Sequence, residues 1–252
     1  MPLPRVALET LLRARRLDQT LTTAMVAPDP RDEGAVAATD VMNLDAHLGG
    51  GFPRGQLSEL VGPRSSGHSS LLLQLMAAAT GRGELVALVD ALDMLDVESA
   101  AAAGVDLTRL LWIRGHVTMH AGFSRDLNQR AIEQAIRACA LVLQAGNFGL
   151  VAFDVAEAPA DAVRRLPFTT WLRLQRMVEG SQTACLLVGS EPMARSSAGL
   201  TVQLGGDRAR GLAGGPRFGL TLFDGLDLDA RVLRARARRE DDVRLSLSTA
   251  AR

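Results

Sequence analysis

Residues 62–70 have the residue types and the spacing of a phosphate-binding loop. They read GPRSSGHSS and match the motif G-x-x-x-x-G-K-[ST] at all but one position. In that motif backbone N–H groups surround the phosphates, the lysine contacts the β- and γ-phosphates, and the following hydroxyl binds Mg²⁺. Here a histidine occupies the lysine position. The predicted nucleotide-binding residues of this degenerate loop are Gly62, Ser65, Ser66, Gly67, His68, Ser69 and Ser70.

His68 changes what such a loop can bind. Histidine is shorter than lysine and has an ordinary pKa of about 6.5, so it is mostly neutral at neutral pH. Losing a charged hydrogen bond to phosphate costs roughly 1.5 to 3 kcal/mol, or about ten- to a hundredfold in affinity. The chain contains no lysine anywhere, so only an arginine such as Arg54 or Arg64 could supply the missing cation. A working nucleotide site and a mere fold scaffold both remain open on this motif alone.

The elements around the loop are those of an α/β fold. An apolar strand over residues 56–61 precedes the loop and a helix over residues 69–80 follows it, which is the context that a phosphate loop requires. Further apolar strands at 85–89, 110–114, 150–153 and 184–188 alternate with helices at 95–103, 127–145 and 168–179. This alternation predicts a P-loop core with a mostly parallel central sheet covered by helices. Strands and glycine-rich turns after Leu200 predict an antiparallel C-terminal extension.

The chain divides into three predicted regions. Residues 1–37 contain a helical pattern at 6–21 and a linker from 27, residues 38–238 form the core, and residues 239–252 form a polar tail. No apolar run is long enough to span a membrane and no cleavable leader is recognisable, so we expect a cytoplasmic protein. Cys139 and Cys185 lack metal-ligand spacing and are expected to be buried thiols. No metal site is predicted.

The charge of the chain is balanced overall but unevenly distributed. It has 28 basic and 28 acidic residues, so its net charge does not recruit nucleic acid. Basic residues concentrate late in the sequence, where alternating arginines fit either a solvated strand face or a patch that contacts phosphate groups. The candidate DNA or partner contacts are Arg164, Arg165, Arg231, Arg234, Arg236, Arg238 and Arg239.

Several short motifs in a fixed order resemble the ATPase core of the RecA recombinase family. They lie in residues 38–113 and comprise LD at 44–45, LGGG at 48–51, P-x-G at 53–55, the loop itself, VDA at 89–91, LD at 95–96 and AGVD at 103–106. The resemblance implies a RecA-like P-loop fold. It also implies that Asp90 and Asp154 correspond to acidic positions of the nucleotide site, with Asp154 matching the carboxylate associated with Mg²⁺.

The departures from that family bear on catalysis. Leu92 stands where the family has the glutamate that activates the attacking water, and Gly189-Ser190 replaces an Asn-Gln sensor. Removing a general base typically costs about 10² to 10⁴ in rate. The segments at 155–166 and 191–198, which match the family's two DNA-binding loops, are shorter than in a recombinase. We therefore expect a protein that is not an enzyme and has no cofactor beyond weak binding of ATP and Mg²⁺.

A second set of motifs resembles the ImuA family, the RecA-like accessory proteins of bacterial mutasomes. These motifs are LLW at 110–112, AIRACALVLQAG at 135–146, L-x-LQR at 172–176 and LFDGLDL at 222–228. That family lacks the ATPase residues and works with ImuB, a catalytically inactive relative of Y-family polymerases, and with an error-prone DnaE-type polymerase in SOS-induced translesion synthesis.

The second resemblance implies a non-catalytic accessory protein for error-prone translesion DNA synthesis during the SOS response to DNA damage. Its implied partners are ImuB, RecA and the DnaE-type polymerase, with DNA binding and self-association left open and no membrane involved. Two alternatives stay open: a nucleotide-binding switch or weak ATPase of RecA type, which Ser69, Asp90 and Asp154 favour, and an inhibitor of cell division resembling SulA.

Overall fold

The computed structural model describes residues 35–116, 125–205, 226–235 and 242–247. The chain forms two units, Met1–Glu33 and Gly34–Arg252, and the described residues belong to the second. The helix predicted for residues 6–21 and most of the linker lie outside the described residues, as do Arg236, Arg238 and Arg239. No helix in the described part of the chain combines the length and the apolar character that a membrane span needs.

A single large sheet organises the described residues. A short antiparallel pair, β1 (Val36–Ala37) and β2 (Phe52–Pro53), precedes it. Among the described residues eight strands form the large sheet, in the order β10-β9-β8-β3-β7-β6-β4-β5. They are β3 (Gln56–Val61), β4 (Leu85–Asp90), β5 (Leu110–Arg114), β6 (Phe148–Asp154), β7 (Ala184–Gly189), β8 (Leu200–Leu204), β9 (Leu226–Ala235) and β10 (Asp242–Leu247).

The pairing directions confirm the predicted sheet. Strands β3 to β8 pair in parallel, whereas β9 runs antiparallel to β8 and β10 antiparallel to β9. The antiparallel extension continues into the segment assigned to the polar tail, because β10 lies at Asp242–Leu247. The alternation of Val243, Leu245 and Leu247 with polar residues is the pattern of a strand with one apolar face.

Helices cover both faces of the sheet, as the alternation of elements predicts. They are α1 (Met42–Leu48), α2 (His68–Gly81), α3 (Val97–Ala102), α4 (Arg125–Ala145), α5 (Ala160–Arg164) and α6 (Phe168–Val178). Alternate residues of β4 enter two separate apolar clusters: Val86 and Leu88 pack with α1, α2 and α3, while Ala87 and Val89 pack with α4, α5 and α6. A strand whose residues are buried on both faces is typical of a parallel sheet between two helical layers.

Helix α3 is shorter than predicted because a side chain fixes its start. The carboxylate of Asp96 accepts hydrogen bonds from the backbone N–H groups of Glu98 and Ser99, which is the capping arrangement that begins a helix. The helix α5, which the apolar pattern did not indicate, follows Pro159.

The strand order brings four chain segments to one edge of the sheet. The central neighbours β3, β7, β6 and β4 are all parallel, so their carboxyl ends lie together. In the register Asp90 pairs with Asp154, and Val61 with Gly189. Open parallel sheets bind ligands at this edge, so the loop after β3 and the residues after β4, β6 and β7 define the candidate site.

Candidate functional site

The phosphate loop, defined as residues 62–67, has the main-chain geometry expected of its motif. It connects β3 directly to α2, and the Ser66 N–H closes a turn on the Pro63 carbonyl at 3.1 Å. Gly67 adopts a left-handed conformation with φ of 87°, which favours glycine. At Gly62 an added Cβ would lie 2.7 Å from the carbonyl oxygen of Leu204. Both motif glycines are therefore required by the fold of the loop itself.

His68 is turned into the loop and is not available as a cation. Its side chain is only 4% exposed, and Nδ1 lies 3.1 Å from the hydroxyl of Ser66. Burial lowers the pKa of His68 below its ordinary value, while the nearby carboxylate of Glu157 raises it. A neutral imidazole that is hydrogen-bonded within the loop cannot replace the charge of a lysine on a phosphate group. Ser69 and Ser70 follow it on the exposed first turn of α2.

Arg64 lies in the phosphate loop but its guanidinium is paired. Its Nε is 2.5 Å from Oε2 of Glu157, a residue in the segment that follows β6. The side chain of Arg64 is 66% exposed, that of Glu157 24%. This cation of the loop thus already has an anion of the protein as its partner.

Arg54 is excluded as a substitute for the lysine because it lies at the opposite edge of the sheet. Its Nη1 donates to the carbonyls of Gly149 and Gln182, and its Nη2 lies 2.6 Å from Oε1 of Glu84. These residues stand at the amino ends of β6, β7 and β4, whereas the phosphate loop follows the carboxyl end of β3. Arg54 therefore has a structural role.

Asp90 and Asp154 are neighbours in the sheet, but the carboxylate of Asp90 already accepts hydrogen bonds from other residues of the protein. Its Oδ2 accepts hydrogen bonds from the N–H of Leu95 at 2.8 Å and from the indole Nε1 of Trp112 at 3.2 Å. Within the described residues no group of three or more His, Cys, Asp or Glu side chains is arranged to hold a metal ion. Any Mg²⁺ bound here would need nucleotide oxygens among its ligands.

Asp154 accepts fewer hydrogen bonds than Asp90, and its pKa is raised. Its Oδ1 accepts one hydrogen bond, from the N–H of Ala156 at 2.9 Å. Burial raises the pKa of Asp154 to about 6; the hydrogen bond from Ala156 opposes this, and the carboxylates of Asp90 and Glu157 add to it. The carboxylates of Asp90 and Glu157 therefore both act on Asp154 beside the phosphate loop.

Leu92 and Gly189, which stand at the positions that match the RecA family's glutamate base and its sensor, both pack against other residues. Leu92 is partly buried against the apolar cluster that includes Ile113 and Ile136, so it contributes to the core and cannot accept a proton. At Gly189 an added Cβ would clash with the methyl end of Met193, and the next residue, Ser190, is exposed.

Glu59 is a site residue that the motifs did not identify. It is 1% exposed in the middle of β3, and its Oε1 accepts from the N–H groups of Met193 and Ala194, each at 2.7 Å. Its Oε2 accepts from the hydroxyl of Thr201 at 2.8 Å. The available signal was a charged residue inside the apolar strand QLSELV, because a buried charge needs specific partners. Glu59 fixes the segment after β7 to the central strand.

The candidate contact arginines are divided between two elements. Arg164, at the end of α5, forms a two-pronged ion pair with Glu191 at 2.6 and 2.8 Å, and Arg165 is exposed beside it. On β9 both Arg231 and Arg234 are exposed. The guanidinium of Arg234 donates to the carbonyl of Arg195.

The fold and the loop define a class, a P-loop α/β core of the RecA type. The comparisons with known proteins agree with this class. Residues 25–121 match the family model described as RecA N-terminal domain. The match stops before α4, so Asp154, Glu157 and Glu191 lie beyond it.

Individual RecA proteins match a still shorter segment. Those of Synechococcus sp. (strain CC9902), Parasynechococcus marenigrum (strain WH8102) and Prochlorococcus marinus (strain MIT 9211) are each 45% identical over 74 residues, which is 29% of this chain and 20% of each entire RecA. The chain thus spans about a fifth of the length of the curated relatives it matches. The matched region is RecA-like. The RecA-like proteins are a family related to DNA repair.

Proposed function

We propose that this chain is a non-catalytic RecA-like accessory protein of ImuA type, acting in SOS-induced error-prone translesion synthesis through contacts with ImuB, RecA and/or DNA. One observation carries the proposal: the phosphate loop keeps its main-chain form, while the side chains at the positions that match catalytic residues of the RecA family form contacts within the protein. His68 is hydrogen-bonded to Ser66, Leu92 packs into the core, and Asp90 accepts from Trp112.

The energetic argument concerns both binding and chemistry. Without a charged hydrogen bond to the phosphates, affinity falls about ten- to a hundredfold. Without a general base, the rate falls by about a further 10² to 10⁴. A fold that retains its architecture but loses both contributions is suited to docking. The RecA-like core then supplies surfaces for partners, and partner binding does not depend on nucleotide.

A second function is favoured by the intact loop backbone and by the adjacent carboxylates Asp90 and Asp154. It is a nucleotide-binding switch, in which ATP and Mg²⁺ bind weakly and alter partner contacts. Leu92 opposes hydrolysis in this alternative but does not oppose binding.

Calorimetric titration with Mg²⁺ and a non-hydrolysable ATP analogue separates the two functions. We expect no heat of binding from the native protein, because the cation of its loop is already paired. His68→Lys restores the motif and His116→Lys adds the same charge at an exposed position away from the motif, so any gain must be confined to the first variant. Pull-downs of ImuB and RecA with and without the analogue complete the test, and equal capture is expected. Saturable binding by the native protein, or capture that requires nucleotide, would reject the docking function in favour of the switch.

A further inference from the structure

We propose that Glu157 is an internal latch on the phosphate loop: its carboxylate engages Arg64 on the ligand side of the loop and excludes the phosphate groups of a nucleotide. The inference rests on the proposed function, since it explains how a loop with the correct backbone would reject a nucleotide.

The position of Glu157 is fixed by the residues around it. Asp154 accepts from the N–H of Ala156, and the N–H of Ala158 donates to the carbonyl of Val155 at 3.0 Å, so the chain turns immediately after β6. Ala156 and Ala158 are buried on either side of Glu157. The turn therefore directs the one long side chain among them out of the core and toward the loop, where it meets Arg64 at 2.5 Å.

The carboxylate of Glu157 also acts on the loop from close range. It raises the pKa of His68, in the first turn of α2, and adds to the raised pKa of Asp154 at the end of β6. The negative charge thus lies near both of these groups, and His68 is the first residue of a 14-residue helix. Helix amino ends attract anions, and here the protein provides one of its own.

A nucleotide would meet two obstacles at this position. Arg64, the guanidinium in the loop, is occupied, and the carboxylate of Glu157 repels a polyphosphate. The attraction within the ion pair is the smaller effect, because exposed ion pairs contribute little net free energy. Charge repulsion and the loss of Arg64 as a phosphate ligand are the larger ones. Neutralising Glu157 removes one negative charge and the ion-pair partner of Arg64 in a single step.

The test is equilibrium binding of a fluorescent ATP analogue with Mg²⁺ to the full chain. We expect Glu157→Gln to bind at least about tenfold more tightly than the native protein, since one charged hydrogen bond to phosphate changes affinity about ten- to a hundredfold. Arg64→Ala and the double variant Glu157→Gln/Arg64→Ala should show no gain. The matched control is Glu191→Gln, which removes the carboxylate from the Arg164 pair and should behave as the native protein does.

The outcomes separate the latch from the proposed function. Equal, weak binding by native protein and Glu157→Gln overturns the latch and leaves the docking function intact. Tight binding by the native protein overturns the docking function, and the latch with it. A gain that persists in the double variant overturns the role of Arg64. Glu157→Ala serves as a second variant, and thermal unfolding by circular dichroism must give each protein a native-like transition.

Discussion

Two arginines close to each other in sequence lie at opposite edges of the sheet and have different roles. Arg54 donates to three backbone carbonyls and pairs with Glu84, so it joins the amino ends of several strands. Arg64, at the carboxyl edge, forms a partly exposed ion pair with Glu157. An arginine with several partly buried partners is part of the framework. An arginine with an exposed ion pair can exchange its partner, which makes the carboxyl edge the place where function can change without loss of the fold.

The carboxyl edge itself contains the same contrast between two acidic residues. Glu59 is buried and fully used by Met193, Ala194 and Thr201. Asp154 accepts one backbone hydrogen bond and has a pKa raised by burial. The first carboxylate stabilises the fold through its three hydrogen bonds. Burial of the second carboxylate disfavours its charged form and raises its pKa, and perturbed pKa values are common at functional sites.

Removing the Glu59 carboxylate should have the largest effect. Glu59→Ala leaves two buried N–H groups and one hydroxyl without an acceptor, and each such loss costs about 1 to 3 kcal/mol. We expect the free energy of unfolding to fall by about 3 to 5 kcal/mol, measured by urea denaturation. Glu59→Gln keeps the shape and one acceptor oxygen, so its loss should be smaller. A loss below about 1 kcal/mol for the alanine variant would mean that the segment after β7 is held by other contacts.

The two arginines should differ in the same measurement. Arg54→Ala should cost about 2 to 4 kcal/mol, because it leaves backbone carbonyls and Glu84 without their donor. Arg64→Ala should cost less than about 1 kcal/mol, the usual range for an exposed ion pair. Arg54→Lys, which keeps the charge but not the fork of donors, should fall between them. Similar losses at the two positions would refute the distinction between framework and exchangeable arginines.

The effect of Asp154 should be smaller than that of Glu59 or Arg54, and it should be the most pH-dependent one. Its pKa is raised to about 6 in the folded state, above the ordinary value of about 3.9. Between these values the unfolded chain loses the proton first, so stability falls as the pH rises from about 4 to 6 and then levels off. Asp154→Asn removes this penalty.

The expected gain for Asp154→Asn is about 1 to 3 kcal/mol at pH 7.5, from 1.36 kcal/mol per unit of pKa shift. The gain should shrink steadily as the pH is lowered from 6 toward 4. Urea denaturation of both proteins across this range is the measurement. A variant that is less stable than the native protein at pH 7.5, or a difference that does not vary with pH, would contradict the assignment.

The sequence predicted the parts of the molecule that depend on local patterns. The strand, loop and helix around Gly62 and Gly67 follow from one short motif, and the parallel sheet follows from alternating apolar segments. Asp90 and Asp154 could be placed at one edge because each follows an apolar strand. These features require only neighbours in sequence and the general rules of parallel sheets.

The remaining features depend on contacts between distant segments. Glu59 meets Met193 across 134 residues, and Arg54 meets Gln182 across 128. Neither contact produces a pattern in the local sequence. The sequence therefore allowed Arg54 as a phosphate ligand, although it lies at the amino edge of the sheet, opposite the phosphate loop. Glu157 was overlooked for the same reason, because nothing in its own segment indicates that it faces the distant phosphate loop.

The hydrogen bond between Trp112 and Asp90 has a practical consequence for spectroscopy. The chain has two tryptophans, and Trp171 is buried in the core in an edge-type contact with the ring of Phe153. Trp112 instead donates to Asp90 and lies under the guanidinium of Arg114, 4.6 Å from the ring centroid. Its emission therefore depends on whether Asp90 remains an acceptor. The protein therefore contains an intrinsic optical probe, without any label, of the surroundings of Asp90 at the carboxyl edge of its sheet.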